Sequence, residues 1–530
     1  MKMKRSTNIQ LSACLLATIL CGGDGALAGI QLTPTGVFQT GIFEEGGSEI
    51  VAYDATTFRV YSITAVSATV NVLDVQNPAN PTLVGVIPVL NYVPQGGGLQ
   101  SVAVHDGLIA VAARPTDRTK PGTVAFFNSN LQYVNRVKVG ALPDMVIFSP
   151  DGRWVLTADE GEPSDDYKKD PHGTVSIIDM SVGAANLQAA RDVRKANFDS
   201  FNNAALDPSI RIFGPNAKVN KDLEPEYITV SADSRTAWVT LQENNAIAVI
   251  DIPSATVIGL AGLGFKDHSL PGNGLDASDR DNAINIRNWP IFGMYQPDAI
   301  ASYVAGGNTY LVMANEGDAR DYDGFSEEVR LGSADYVLDP VRFPNATDLK
   351  KNANLGRLRV TNATGDTDGD GDFDEIYAYG ARSFSIRDVL GNLIFDSGDD
   401  FEQITAFMFP LHFNAGNNNN NLEDRSDDKG PEPEGVVVGV IDGRTYAFIG
   451  LERVGGIMMY DVTDPFAVLF VDYVNNRNFN AIPGTPAAGD LGPEGLAFVS
   501  ATESPTGVPL LVVGNEVSGT TTIYTINSTP

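Results

Sequence analysis

The chain contains very little cysteine and histidine. Of its 530 residues, two are Cys and four are His. Both cysteines, Cys14 and Cys21, lie close to the N-terminus, so the remainder of the chain has neither disulfides nor thiol chemistry. The histidines lack a zinc-protease spacing such as H-E-x-x-H, and no G-x-S-x-G elbow or glycine-rich phosphate loop occurs. The sequence therefore gives no support to zinc-protease, serine-triad or P-loop nucleotide chemistry.

Basic residues are also scarce. There are 36 Lys and Arg against 66 Asp and Glu, which gives a formal net charge of -30. This balance argues against binding to nucleic acid or to an anionic membrane surface. Two explanations stay open: the acidity keeps an exported protein in solution, or the carboxylates, which are clustered in motifs, bind cations.

Long apolar runs are missing after the N-terminus. Lys2, Lys4 and Arg5 precede an apolar stretch at residues 11–20, and Ala26-Leu27-Ala28 offers a cleavage site of small residues. The stretch is too short to span a bilayer, and no other segment is apolar enough. The pattern predicts a signal peptide at residues 1–28 and an exported protein in the periplasm, outside the cell or on its surface.

The chain does contain a repeat. An acidic motif, usually Pro-Asp/Glu, opens a short apolar strand, and a second strand ends at Glu. The clear copies start at Pro143-Asp144, Pro225-Glu226, Pro297-Asp298, Pro433-Glu434 and Pro493-Glu494, and weaker copies start near Glu49 and Gln100. A strand repeat every ~40–50 residues is typical of propeller blades, none of which can bury its apolar face alone. The sequence therefore predicts an all-β fold, a single seven-bladed β-propeller over residues 29–530.

The two ends of the chain predict how the ring closes. The seventh copy stops after Thr522–Ile526 with one strand missing, while residues 30–39 form a strand with no blade of its own. We expect this N-terminal strand to complete the seventh blade and cover its edge. Two insertions are predicted, at about residues 181–220, with helical composition around 184–193, and at about 317–380.

The repeat predicts where the carboxylates lie. In a four-stranded blade the first strand starts, and the second ends, at the same face of the disc, so both acids of a copy belong to that face. The inner set is Glu49, Asp144, Glu226, Asp298, Glu434 and Glu494, and the outer set is Glu160, Glu243, Glu316, Glu452 and Glu516. Such crowding raises the pKa of carboxyls unless cations bind among them. Hard oxygen ligands suit Ca²⁺ or Mg²⁺, so Ca²⁺, alone or with a second divalent metal, is the expected cofactor.

The candidate metal ligands on this face include the loops that come after the second strands. They are Glu160, Glu162, Glu316, Asp318, Glu434, Glu452, Glu494 and Glu516. The alternative is turn chemistry, in which the proline sets φ and the acid caps the turn.

Four basic residues are expected beside these acids. Arg320, Arg425, Lys429 and Arg453 follow or precede the same strand ends. Cations next to metal-binding acids suit an anionic substrate such as a phosphate ester, so these four are the candidate catalytic residues. The alternative is that they form internal salt bridges with the acids.

A separate calcium site is predicted in an aspartate-rich loop. Its alternating carboxylates, with Gly371 permitting a sharp turn, are Asp366, Asp368, Asp370, Asp372 and Asp374. The twelfth position counted from Asp366 is Tyr377, so the loop is not a standard EF-hand. Its expected role is to stabilise the second insertion.

Several long motifs resemble the choice-of-anchor I family of bacterial surface proteins. They lie at residues 44–53, 140–145, 159–167, 382–386, 425–434, 450–456, 492–495 and 515–520. Members of this family are exported propeller-type proteins, some labelled alkaline phosphatase-like or mesenchyme-specific cell surface glycoprotein. The resemblance covers nearly all of the chain after residue 28 and implies an exported propeller.

Two functions from different classes are compatible with these features. The first is a secreted calcium-dependent phosphoesterase that hydrolyses small phosphate esters at a metal-lined channel mouth. The second is a non-catalytic, calcium-binding surface or matrix propeller that binds glycans or proteins. In both cases we expect a monomer with no nucleic-acid partner.

Overall fold

The computed structural model describes residues 29–528, so the predicted signal peptide lies outside the described residues. The chain begins with β1 (Ile30–Gln39), and β-strands make up most of its regular structure. Within residues 29–528, seven four-stranded antiparallel sheets, named I to VII, succeed one another along the chain. Their strands are β2 (Val51–Asp54), β3 (Arg59–Thr64), β4 (Thr69–Asp74) and β5 (Thr82–Ile87) in sheet I; β6 (Gly96–His105), β7 (Leu108–Pro115), β8 (Pro121–Phe127) and β9 (Tyr133–Ala141) in sheet II; and β10 (Pro143–Phe148), β11 (Trp154–Asp159), β12 (Thr174–Asp179) and β13 (Val193–Asn197) in sheet III.

The later sheets are interrupted by two inserted regions. Their strands are β14 (Ile228–Val230), β15 (Thr236–Leu241), β16 (Ala246–Asp251) and β17 (Thr256–Gly262) in sheet IV; β20 (Ile300–Ala305), β21 (Asn308–Asn315), β27 (Ser383–Asp388) and β28 (Leu393–Asp396) in sheet V; β29 (Pro433–Ile441), β30 (Arg444–Leu451), β31 (Ile457–Asp461) and β32 (Leu469–Val474) in sheet VI; and β33 (Pro493–Val499), β34 (Leu510–Asn515), β35 (Thr520–Ser528) and β1 in sheet VII. Sheet VII thus joins the two ends of the described chain, since β1 pairs antiparallel with β35 from Ile30↔Ser528 to Gln39↔Thr520.

The middle strands of each sheet are buried on both faces. β12 reads Thr-Val-Ser-Ile-Ile-Asp, and its first five residues are all buried because neighbouring sheets pack against both sides. Such strands are continuous apolar runs rich in β-branched residues. The outermost strands are more exposed, as in β5, where residues 82–84 and Val86 are exposed. The fourth strand of a sheet therefore carries the weakest sequence pattern.

The first strands of consecutive sheets contact one another in a complete succession. β2 contacts β6, β6 contacts β10, β10 contacts β14, and the series continues through β20, β29 and β33 back to β2. These are the strands that begin at, or just after, the acidic motifs. The acidic motifs of neighbouring sheets therefore lie on strands that contact one another.

The inserted regions build a further sheet of their own. Residues 263–299 and 316–382 contribute five strands in the order β18, β19, β26, β25, β24, and the pair β19–β26 is parallel. These strands are β18 (Phe265–Asp267), β19 (Phe292–Met294), β24 (Glu328–Arg330), β25 (Arg359–Thr361) and β26 (Tyr377–Ala378), and a hairpin lies at β22 (Asp321–Tyr322) and β23 (Phe325–Ser326). The sheet has a separate apolar core that includes Leu275, Trp289 and Tyr336.

Helices are few and short. Within residues 29–528 the α-helices are α1 (Ala189–Asp192), α2 (Val219–Asp222), α3 (Ala346–Leu349) and α4 (Asp400–Met408), and 3-10 turns lie at Val89–Asn91, Met180–Val182, Ala184–Asn186, Asp199–Phe201 and Pro486–Ala488. The bounds predicted for the first insertion, about 181–220, were too wide, because they contain β13, the fourth strand of sheet III. The helix expected around 184–193 is a single turn, α1. Among residues 29–528, no helix combines the length and apolar character that crossing a membrane requires.

Candidate functional site

A β-bulge at the start of the first strand positions each acidic motif. In β10, Pro143 pairs with Asp159 and Met145 with Ala158, so Asp144 has no partner in the register. The same irregularity leaves out Glu434 in β29, Glu494 in β33 and Gln100 in β6. A bulge inserts one residue and redirects its side chain. The proline that precedes the acid in three of these strands is tolerated because it is the first residue of the strand.

The same backbone pattern recurs in the remaining sheets. In sheet I the N–H of Glu49 donates to Ile63 O at 3.2 Å and the N–H of Ile63 donates to Ile50 O at 3.0 Å, so two residues face one. Sheet IV repeats this at Glu226 and sheet V at Asp298. Seven equivalent positions therefore carry six carboxylates and one glutamine: Glu49, Gln100, Asp144, Glu226, Asp298, Glu434 and Glu494. We call this set the inner ring.

The inner-ring carboxyls are partly buried and poorly compensated. Burial, followed by Glu516 and Asp144, raises the pKa of Glu49 to about 8. Burial also raises the pKa of Asp144 to about 6, although Gln100 donates a hydrogen bond to it. The other four carboxyls have pKa values well above the usual range, with burial the largest cause and neighbouring carboxylates next: Glu226, Asp298, Glu434 and Glu494.

A polar cavity of about 360 Å³ opens between four members of the inner ring. Its lining includes Glu49, Gln100, Asp144 and Glu494, together with Arg114. Arg114 Nε donates to Gln100 Oε1 at 3.1 Å, and Gln100 Nε2 donates to Asp144 Oδ1 at 3.2 Å. The Arg114 guanidinium in the lining is thus hydrogen-bonded to the side-chain amide of Gln100 and not to a carboxylate. We call Glu49, Gln100, Asp144 and Glu494 the unpaired sector.

The outer acids lie just after the ends of the second strands, as the sequence predicted. The members are Glu160, Glu243, Glu316, Glu452 and Glu516. The backbone fixes several of them: the N–H of Glu160 donates to Leu142 O, and the N–H of Glu452 donates to Glu432 O, both at 2.9 Å. Burial raises the pKa of Glu243 to about 7, and its Oε2 is buried without a hydrogen-bond partner among the described residues.

Three of the four candidate catalytic cations converge on a single buried carboxylate, Glu432. Lys429 Nζ lies 3.2 Å from Glu432 Oε2, Arg453 Nε lies 2.9 Å from the same oxygen, and Arg425 Nη2 lies 2.6 Å from Oε1. Burial by itself would raise the pKa of Glu432, but the three cations outweigh burial and hold it well below its usual range. Lys429 also pairs with Glu316, and Arg453 with Glu452 at 2.9 Å. We call these six residues the paired sector.

The fourth candidate cation, Arg320, lies elsewhere. It is 1% exposed, pairs with Asp222 at 2.7 Å and Glu224 at 3.2 Å, and stacks over Phe213. Its contacts are therefore those of an internal salt bridge. Arg425 and Arg453 keep 22% and 26% of their side-chain surface exposed, and Lys429 keeps 12%.

Two groups of carboxylate oxygens on this face are close enough to share an ion. Oxygens of Asp298, Glu316 and Glu434 all lie within 4.8 Å of one another, and so do oxygens of Glu316, Glu432 and Glu452. Only the first group contains an orphan atom, Glu434 Oε2, which is buried with no hydrogen-bond partner in the described part of the chain. Glu494 Oε2 of the unpaired sector is in the same state. Orphan carboxylate oxygens fit a hard cation such as Ca²⁺.

The remaining predicted ligands are spread around this centre. Glu162 pairs with Arg118 at 3.0 Å and accepts from the Tyr322 hydroxyl at 3.2 Å. Glu160 has a pKa well above its usual range because of burial and then Asp144. Asp318 is exposed beside Lys429 and Glu316, and Glu516 lines a second cavity of about 210 Å³. The structure therefore does not gather all eight predicted ligands around one point.

The aspartate-rich loop forms two overlapping groups. Oxygens of Asp366, Asp368 and Asp374 lie within 4.8 Å of one another, and so do oxygens of Asp339, Asp372 and Asp374. Asp366 is oriented by the N–H groups of Gly369 at 2.7 Å and Gly371 at 3.1 Å. Asp370 is exposed and belongs to neither group.

Sequence reasoning missed several residues of these sites. Asp339 lies 27 residues before the first aspartate of the loop and has no motif of its own. Glu432 was recognisable only as the acid before Pro433-Glu434, and Gln100 only as the position where a copy of the repeat lacks its acid.

Comparison with known proteins gives relatives of part of the chain. Gigasin-3a of Magallana gigas is 32% identical over 188 residues, which are 33% of this chain and 66% of that protein. The mesenchyme-specific cell surface glycoprotein of Strongylocentrotus purpuratus is 27% identical over 302 residues, 50% of this chain and 38% of that protein. The chain thus spans less than two thirds of either relative.

Among solved structures, the β-propeller domain of Cps50 (Swd1) from Myceliophteria thermophila aligns with 94% of this chain and 100% of its own, at 9% identity and a TM-score of 0.42. The match to the family profile is far more extensive than either sequence relative, since the choice-of-anchor I domain covers residues 49–465. This chain belongs to the choice-of-anchor I family.

Proposed function

We propose that this chain is an exported, propeller-type surface protein that binds a divalent cation on its acidic face, and that Ca²⁺ is the ion that fits best. The acidic face is the surface that carries the inner ring and the outer acids. The single observation that carries the proposal is the group formed by Asp298, Glu316 and Glu434. Three oxygens from three strand ends lie within 4.8 Å, and Glu434 Oε2 is buried with no partner within residues 29–528. A site of oxygen donors without His or Cys favours Ca²⁺ or Mg²⁺ over transition metals.

The architecture we infer is one closed disc of seven blades, sheets I to VII, with β1 completing the last. The circular succession of contacts between first strands supports this inference. So does the burial in β1, where Ile30 and Leu32 are 6% and 2% exposed and pack with Tyr446 and Phe448 of sheet VI.

Two matched substitutions in β1 test that closure. Leu32→Ala should destabilise the protein by about 2–5 kcal/mol if β1 is part of the ring. Val37→Ala, at a position 42% exposed on the same strand, should stay within about 0.5 kcal/mol. Urea unfolding of both variants gives the comparison, and equal values for the two would reject the closure.

Calcium titration calorimetry tests the cation site. Glu434→Gln keeps the shape of the side chain but removes the negative charge of the carboxylate that contains the unpaired Oε2. It should therefore weaken or abolish one Ca²⁺-binding event. Asp106→Asn is the control, because the Asp106 side chain is 81% exposed and its backbone, at φ 47°, suits Asn. Identical isotherms for wild type and Glu434→Gln would remove this site from consideration.

A second function is favoured by the guanidinium groups of Arg425 and Arg453. Both remain partly exposed beside the carboxylate groups, where they could contact the oxygens of a phosphate ester. A bound divalent cation would act there as a Lewis acid on the same phosphoryl group. The residues of the chain itself would bind and orient the ester, and their ion pairs with Glu432 would hold the guanidinium groups in place.

Activity assays separate the two functions. Purified protein with Ca²⁺ is offered an aryl phosphate and a phosphodiester, and Arg453→Ala and Glu434→Gln are assayed in parallel. A phosphoesterase requires turnover by the wild type and a loss in both variants. No turnover by the wild type, or unchanged rates in both variants, leaves the non-catalytic, cation-binding protein with a glycan or protein partner.

Surface location rests on the family and on the name of one relative, a cell surface glycoprotein. We infer export through residues 1–28. Fractionation of cells that express the full chain or a chain without residues 1–28 tests this. Only the full chain should leave the cytoplasm, and export of both would reject the role of these residues.

A further inference from the structure

The cavity of the unpaired sector is lined by charges of both signs. Glu49, Asp144 and Glu494 contribute carboxylates, and Arg114 contributes a guanidinium. When all four groups are ionised, negative charge exceeds positive charge in the lining. The cavity volume of about 360 Å³ lies within the range of roughly 300–1,000 Å³ that is typical of small-molecule sites. The cavity is therefore large enough for an organic ligand.

The Arg114 guanidinium is held in place but keeps free donors. Its Nε donates to Gln100 Oε1 at 3.1 Å, and Gln100 Nε2 donates to Asp144 Oδ1 at 3.2 Å. The guanidinium also lies against the backbone of Gly98, where an added Cβ would be 3.0 Å from Nε. In the described part of the chain, Arg114 makes no ion pair and its Nη atoms make no hydrogen bond. Two free Nη atoms suit the carboxylate of a ligand.

The carboxylates of the cavity also lack partners. Glu494 Oε2 is buried with no hydrogen-bond partner within residues 29–528. In that part of the chain, the side-chain oxygens of Glu49 accept no hydrogen bond, and those of Asp144 accept only the one from Gln100. A buried carboxylate without a partner is unfavourable unless a cation lies beside it or it takes up a proton. The lining therefore calls for a positively charged group.

A single metal ion does not suit this cavity. Ca²⁺ lies about 2.3–2.6 Å from each oxygen ligand, so the oxygens around one ion lie close together. Among residues 29–528, the groups of three acids whose oxygens lie within 4.8 Å of one another do not include Glu49, Asp144 or Glu494. An ammonium group on an organic ligand needs only one or two of these carboxylates, and the rest of the ligand can fill the remaining volume.

The cavity has apolar surface beside its charged groups. Leu99, Met145 and Tyr227 belong to the lining, and Leu99 and Met145 are both buried. Methylene groups of a ligand would be removed from water against these side chains, which favours binding. An aromatic ring such as that of Tyr227 also attracts an ammonium group that lies over its face. The lining thus suits a ligand that combines charged groups with an aliphatic chain.

We propose that this cavity binds a lysine-like amino acid, in which a short aliphatic chain joins an ammonium group to a carboxylate. The ligand carboxylate binds the free Nη atoms of Arg114, and the side-chain ammonium group binds the carboxylates of Glu494 and Glu49. The net positive charge of such a ligand offsets part of the excess negative charge of the lining. The inference does not rest on the proposed cation site, whose residues do not line this cavity.

Titration calorimetry with three ligands tests which charges are recognised. The ligands are L-lysine, L-norleucine, which lacks the side-chain ammonium group, and L-lysinamide, which lacks the carboxylate. The wild-type protein should bind L-lysine, and it should bind L-norleucine roughly tenfold or more weakly, because hydrogen bonds between charged groups contribute affinity of that order. Absence of L-lysine binding, or equal affinity for L-lysine and L-norleucine, overturns the proposal.

Two variants test the residues of the cavity. Arg114→Gln removes the guanidinium, so the ratio of the affinities for L-lysine and L-lysinamide should fall roughly tenfold. Glu494→Gln should weaken L-lysine binding by a similar factor, whereas Glu503→Gln, at an exposed position in the same sheet's loop, should not. If Glu494→Gln does not fold, Glu49→Gln is measured in its place. An unchanged ratio in Arg114→Gln, or unchanged L-lysine affinity in the glutamate variant, overturns the proposal.

Two further measurements separate this cavity from the proposed cation site. Glu434→Gln should keep the wild-type affinity for L-lysine, whether or not it loses Ca²⁺ binding. L-lysine should also bind at a Ca²⁺ concentration that saturates the protein. If Ca²⁺ displaces L-lysine from the wild type and from Glu434→Gln alike, the cavity is a metal site and the proposal fails. Nα-acetyl-L-lysine then distinguishes two sources of the ligand, because equal affinity admits the C-terminal lysine of a peptide and a loss restricts the site to the free amino acid.

Discussion

The paired and unpaired sectors of the acidic face differ in what neutralises their carboxylates. Around Glu432, three cations lie within 3.2 Å and the pKa of the carboxyl is held low. Around Glu49, burial and then the carboxylates of Glu516 and Asp144 raise the pKa to about 8. The two sectors belong to the same face, but different segments of the chain pack against them.

The two sectors differ because different connections of the chain reach them. The cations of the paired sector come mainly from residues 397–432, the long connection between sheets V and VI, which places Arg425 and Lys429 against the strand ends. Among residues 29–528, no such connection lines the cavity beside Glu49 and Glu494. The carboxylates of the paired sector have internal cations beside them, and one of these carboxylates, Glu316, also belongs to the group with Asp298 and Glu434 that we propose binds an external cation. The carboxylates of the unpaired sector have no ion-pair partner among residues 29–528.

The largest effect is expected where the paired sector is broken. Glu432→Gln leaves Lys429, Arg425 and Arg453 without their shared buried partner, and removal of one partner from a buried ion pair typically costs about 3–5 kcal/mol. Urea unfolding in EDTA should show this loss. Glu503→Gln, at an exposed position, is the control and should change little. A loss below about 1 kcal/mol for Glu432→Gln would mean that solvent already screens this sector.

A smaller effect on stability is expected from Ca²⁺ binding at loop 366–374. This prediction tests whether Ca²⁺ stabilises the protein at a site away from both sectors. Its aspartates repel one another when no cation is bound, so added Ca²⁺ should raise the melting temperature in proportion to the logarithm of its free concentration. Asp368→Asn with Asp370→Asn should remove much of that rise and leave the Glu434-dependent binding intact. Equal calcium responses in wild type and double variant would assign the stabilisation to other sites.

The sequence predicted the strands and the acids better than it predicted the partners of the acids. First and second strands were recognisable because Pro-Asp/Glu and the terminal Glu flank apolar runs, and residues 30–39 were recognisable as an unassigned strand. The five-stranded sheet of the insertions was not recognisable from the sequence, because its strands are only two or three residues long and lie far apart in the chain. An example is the pairing of β19 with β26 through Phe292↔Tyr377. Local periodicity carries no information on such pairing.

The same limit explains the site. Which carboxylate pairs with which cation depends on contacts such as Lys429 with Glu316, 113 residues apart. The sequence predicted that cations and acids share a face, and it left salt bridges and substrate binding open.

The effect that is smallest per pH unit is a dependence of stability on pH, to which the Glu49 carboxyl of the unpaired sector should contribute. The pKa of Glu49 is raised from 4.5 to about 8, so the folded protein keeps a proton that the unfolded chain releases. Stability in EDTA should therefore fall as pH rises from about 5 to about 8, by no more than about 1.4 kcal/mol per pH unit from this group, and then level off. Glu49→Gln should flatten the slope, while Glu432→Gln should leave it unchanged because the lowered pKa of Glu432 matters only at far more acidic pH. Urea midpoints across this pH range provide the measurement. A slope that Glu49→Gln does not alter would show that Glu49 is already ionised and compensated, and the distinction between the two sectors would then not hold for this residue.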